Sequence, residues 1–87
     1  MLPTPEQVKQ YIAVGLACEH LEVEGDGQHF FATIVSPSFE GKRLIQRHQL
    51  VYATLGNAMG NEIHALALQV FTPEEYALEG GASQTRG

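Results

Sequence analysis

Two alternating runs on either side of Gly25-Asp26-Gly27 constrain this chain more than any other feature. Leu21 and Val23 alternate with His20, Glu22 and Glu24, and Phe30, Ala32 and Ile34 alternate with Phe31, Thr33 and Val35. A period of two on both sides of a glycine-rich turn predicts a β-hairpin with one buried face. Ser36-Pro37-Ser38 ends the second strand, because proline has no ladder donor and turns the residue before it away from helix.

A buried sheet face needs a cover, and the flanking segments predict one. Thr4-Pro5-Glu6-Gln7 reads as a helix start, with Thr as cap, Pro in the first turn and Gln returning a hydrogen bond. Val8, Tyr11, Ile12, Gly15 and Leu16 then form one apolar stripe, with an end expected near Ala17. A second helix is expected from about Gly41 to Leu55, with Leu44, Ile45, Val51, Tyr52 and Leu55 apolar and His48 between them. A third strand is expected over Glu62 to Phe71, with His64, Leu66, Leu68 and Val70 toward the helices. Thr72-Pro73-Glu74-Glu75 begins a short helix with an acidic first turn. The resulting order is α-β-β-α-β-α: an α+β domain over residues 1–79, its three-stranded mixed sheet covered on one face by helices, and a disordered tail over 80–87. A right-handed crossover makes the third strand parallel to the second.

Length and charge narrow the function. A chain of 87 residues supports one small core. No apolar run approaches the roughly 18 residues of a membrane span, and the amino terminus lacks a charged region followed by an apolar core, so the expected compartment is the cytosol. The single Cys18 excludes an internal disulfide and suits a reducing environment. A net charge of −5 disfavours general binding to phosphate backbones, although Lys42, Arg43 and Arg47 gather into a local basic patch.

RHQLVYATLG at 47–56, followed by His64 in EIHALAL, matches a family signature, and the match extends to FEGKRLIQRHQLVYATL and HALALQVFTPEEY. On these residues the chain resembles the BolA-like proteins. GDGQHF agrees with the glycine-rich turn ending in His-Phe that many members carry, and its shortness resembles the bacterial IbaG-type branch. The resemblance implies a fold similar to a class II KH domain. It also implies an adaptor that binds a monothiol glutaredoxin and shares a 2Fe-2S cluster with it, in iron–sulfur trafficking or in iron and stress sensing. The partner-side ligands would be the glutaredoxin cysteine and glutathione.

Under this resemblance His64 matches the family's signature cluster ligand; the plain reading of its position is a hydrogen-bonded histidine at a strand edge. The second family ligand comes from the loop between the first two strands, here EGDGQH, where Asp26 and His29 are the candidates. Imidazole suits iron better than carboxylate in this setting, which favours His29. Parallel strands beginning at His29 and near His64 start on one rim of the sheet. His64 shares the parity of Leu66, whereas His29 shares that of Phe31, so regular strands would aim the two rings at opposite faces.

The remaining candidates have quieter readings. Cys18 is expected as a small buried side chain, His20 as solvent-facing with Glu22 and Glu24, and His48 as a core histidine hydrogen-bonded locally. No Ser-His-Asp arrangement, GxSxG, phosphate loop or cysteine beside a base is present, so catalysis is not expected. The nearest approach to a KH-type GxxG loop, Gly56 to Gly60, is one residue too long and lacks basic side chains. The alternative is a DNA-binding transcriptional regulator, in an acid or envelope stress response, that sets Lys42, Arg43 and Arg47 of helix two on phosphate. The expected oligomeric state is monomer or weak homodimer.

Overall fold

The structure, a computed structural model, describes residues 3–56 and 65–80. Helix α1 runs over Pro5–Gly15, ending a little before the expected Ala17, with Thr4 and Gln7 forming the reciprocal capping box. Strands β1 (His20–Gly25) and β2 (His29–Val35) make the hairpin, a single 3-10 turn covers Pro37–Phe39, and α2 spans Leu44–Leu55. Strand β3 (Ala65–Phe71) leads into α3 (Pro73–Glu75), which continues as a π turn over Tyr76–Gly80. The tail from residue 81 onward lies outside the described residues.

The sheet order is β1-β2-β3, with β1 antiparallel to β2 and β2 parallel to β3. Leu21, Val23, Phe30, Ala32, Ile34, Leu66, Leu68 and Val70 point to the helix side and pack with Val8, Ile12, Leu16, Val51 and Leu55. Phe39, with no exposed surface, closes this core from the 3-10 turn. Ser36 holds that turn in place: its hydroxyl donates to the Ala17 carbonyl and accepts from the Ser38 N–H.

Two parts of the expected packing differ. Val51 and Leu55 reach the core, but Leu44 and Ile45 stand in solvent: the first turn of α2 meets its neighbours through Arg47, over Phe39 and on Glu75, which leaves these two side chains on its uncovered side among the described residues. On the opposite sheet face, His20 does not simply face water. Its ring stacks on Tyr76 at 5.2 Å, and Tyr76 also meets Phe71 at 5.6 Å, so the C-terminal turn laps over that corner.

Candidate functional site

The β2–β3 register pairs His29 with Ala65, and the Ala65 N–H donates to the Gln28 carbonyl at 3.2 Å. His64 lies outside the described residues; it immediately precedes Ala65 in the chain. The amino ends of both parallel strands therefore sit on one rim, as the expected crossover required. The register also keeps the one-residue offset, since His29 pairs with Ala65 and shares a face with it.

The turn that carries His29 is built by Asp26. Its Oδ1 accepts from the backbone N–H groups of Gln28 at 3.0 Å and His29 at 2.9 Å. Those bonds, His29 first, hold the Asp26 carboxyl below the usual carboxylate range. Gly27 has φ 101°, a conformation only glycine adopts at little cost. Gly25 is needed for space: a Cβ there would run into the His29 carbonyl and come within 2.6 Å of the Phe30 ring.

The His29 side chain is 74% exposed, with Nδ1 3.9 Å from Asp26 Oδ2. That contact leaves Nε2 as the outward nitrogen. Glu24, Gly25, His29, Phe30 and Phe31 line one shallow hollow at this end of the sheet. Phe31, 40% exposed, adds apolar surface to this hollow, where the sequence indicated only strand alternation. Its side chain lies on the face shared with His29, and its neighbour across β3 is the small Ala67.

Among the described residues no group of three or more His, Cys, Asp or Glu side chains converges as a metal site. Cys18 does not serve there: its thiol donates to the Leu16 carbonyl at 3.3 Å, and burial pushes its pKa up.

The basic patch is smaller than its sequence suggests. Lys42 and Arg43 are exposed at the start of α2. Arg47, expected to stand with them, turns inward: Nη1 and Nη2 grip the Glu75 carboxylate, Nε donates to the Lys42 carbonyl at 3.0 Å, and the guanidinium lies 5.9 Å over the Phe39 ring. His48 is half-buried and meets Tyr52 edge-on, but its Nε2 is shut off from solvent with no hydrogen-bond partner among the described residues, where a local bond was expected.

The comparisons decide the family. The model for BolA-like protein matches residues 13–75. The chain belongs to the BolA-like family. It is 46% identical over 57 residues to the DNA-binding transcriptional regulator BolA of Haemophilus influenzae, a match covering 66% of this chain and 55% of that protein. The chain thus spans about half the length of that BolA relative. Protein BOLA2 of Arabidopsis thaliana is 42% identical over 78 residues, covering 84% of this chain and 83% of the relative. Among solved structures, a BolA homologue from Coxiella burnetii superposes with a TM-score of 0.79 at 44% identity, covering 87% of this chain and 99% of that one. The BolA fold is therefore shared across nearly the whole of a solved relative. Among the described residues no helix is long and apolar enough to cross a membrane.

Proposed function

We propose that this BolA-like protein is an adaptor, not a catalyst, that binds a monothiol glutaredoxin and shares a 2Fe-2S cluster with it in iron–sulfur trafficking or stress sensing. The observation that carries the reading is the parallel register, which sets His29 beside Ala65, the chain neighbour of His64. A 2Fe-2S cluster takes four ligands, and two imidazoles can replace two cysteines. His29 and His64 would supply two, and the glutaredoxin cysteine and glutathione the others. Asp26 keeps the turn closed and sits beside His29 Nδ1, the place a carboxylate takes when it orients a ligating imidazole. When bound, the cluster would supply iron–sulfur transfer or sensing.

The test mixes the protein with a cluster-loaded monothiol glutaredoxin. A one-to-one complex with an altered visible spectrum is expected. His64→Ala should abolish the alteration and His29→Ala should make the cluster labile. An unchanged spectrum with the His64 variant would remove the ligand assignment.

A second reading, DNA-binding regulation, is favoured by the name of the Haemophilus relative and by exposed Lys42 and Arg43. With Arg47 held by Glu75, this patch neutralises about two phosphates, giving a log–log salt slope of about −1.8. Promoter titrations at two salt concentrations separate the readings. Tight, sequence-selective binding by the isolated protein would put regulation first.

A further inference from the structure

Three large apolar side chains of α2 stand in solvent: Leu44 is 63% exposed, Ile45 67% and Tyr52 38%. They form a continuous feature. Leu44, Ile45, His48, Gln49 and Tyr52 line one hollow along the flank of the helix. Isolated exposed apolar residues are ordinary, whereas a contiguous patch marks a contact surface.

We infer that this flank is a self-association surface on which a second copy of the chain lays its own α2 antiparallel. The stripe is balanced in sequence about His48, with Leu44 four residues before it and Tyr52 four after. A two-fold axis near His48 therefore sets each Leu44 against the partner subunit's Tyr52, as an isologous contact requires.

The helix ends are complementary in the same sense. Exposed Lys42 and Arg43 stand at the amino end of α2, where Arg43 provides no side-chain cap, and the last turn carries no basic residue. Antiparallel pairing brings the cations of each copy to the negative end of the other helix dipole. Parallel pairing would stack the four cations together. Among the described residues the lining of the flank holds no carboxylate, so the contact brings none of the described acidic side chains together on a molecule of net charge −5.

The size of the patch sets the strength. Leu44 to Tyr52 spans about 12 Å of helix, and a two-turn contact falls below the roughly 1,000 Å² of a stable interface. The dimer is therefore weak, with a dissociation constant on the order of 0.1–1 mM. It uses none of the residues assigned to the cluster.

Sedimentation equilibrium of the full chain from about 20 µM to about 2 mM, with EDTA to prevent metal-bridged association, tests the surface. The mass should rise from 9.5 kDa toward twice that value. Leu44→Glu and Ile45→Glu should remain monomeric with unchanged circular dichroism, since both side chains are exposed. Orientation is read by oxidation in a Cys18→Ser background: Gln49→Cys, close to the axis, should link two copies, and Leu44→Cys, far from it, should not. A wild-type monomer at the highest concentration, association untouched by Leu44→Glu, or faster linking at Leu44→Cys would each overturn the inference.

Discussion

Arg47 and Glu75, 28 residues apart in the chain, meet as a two-pronged fork, with Nη1 to Oε1 at 2.6 Å and Nη2 to Oε2 at 3.0 Å. The fork ties α2 to the turn that follows β3. Glu75 accepts at the same time from the Thr72 N–H, which completes the cap of α3.

The fork predicts a pH-dependent contribution to stability. Arg47 first, then the Thr72 N–H, lowers the Glu75 pKa from 4.5 to about 2. A lowered carboxyl pKa stabilises the folded state above the unfolded value, and that contribution disappears as pH falls from about 4.5 toward about 2. Solvent reaches 37% of the Glu75 side chain, so screening holds the effect to about 1 kcal/mol. Glu75→Gln should lower the melting temperature at pH 7 by several degrees and leave a flatter acid profile. Parallel wild-type and variant profiles between pH 7 and pH 2 would contradict this.

Asp26 and His29 should separate by substitution chemistry. Asp26→Asn keeps an oxygen for the Gln28 and His29 N–H groups, whereas Asp26→Ala removes it. Amide hydrogen exchange at Gln28 and His29 should remain near wild type in the Asn variant and accelerate in the Ala variant. Cluster sharing should survive in Asp26→Asn. Loss of the cluster with the turn intact would instead make the carboxylate the ligand.

His48 should be replaceable with a gain. A buried polar atom without a partner costs about 1–3 kcal/mol, and Nε2 has none among the described residues. His48→Phe retains the edge-on contact with Tyr52, 6.3 Å between centroids in the native pair, and removes the orphan nitrogen. Urea unfolding at low protein concentration should show a gain of about 1 kcal/mol. A comparable loss would mean that Nε2 is hydrogen-bonded in solution.

The sequence was most readable where one residue's chemistry admits one geometry. Thr4 with Gln7 marks the start of α1, and strict alternation gives the faces of β1, β2 and β3. The intervening helix correctly predicts parallel pairing of β2 with β3. It was least readable along α2. There Leu44 and Ile45 carry the same apolar signal as Val51 and Leu55, and only the neighbouring elements decide which pair is covered. Arg47 was misleading for a related reason: a cation three residues from its helix start looks solvated until Glu75 arrives from another element. Phe39 went unassigned because it sits in a single 3-10 turn too short to show periodicity. Of the candidate site, the shared rim was predictable from topology, whereas the role of Asp26 depended on a turn geometry that residue spacing does not specify. His64 lies outside the described residues.

Parallel pairing of β2 and β3 separates the measuring part of the molecule from the variable part. The ladder fixes where each strand starts, His29 in β2 opposite Ala65 in β3. A residue added to or removed from the Asp26 turn would therefore change the reach of the His29 side chain while leaving Ala65 in register. The turn can thus change in length or sequence at one edge of the sheet while the β2–β3 ladder stays as it is.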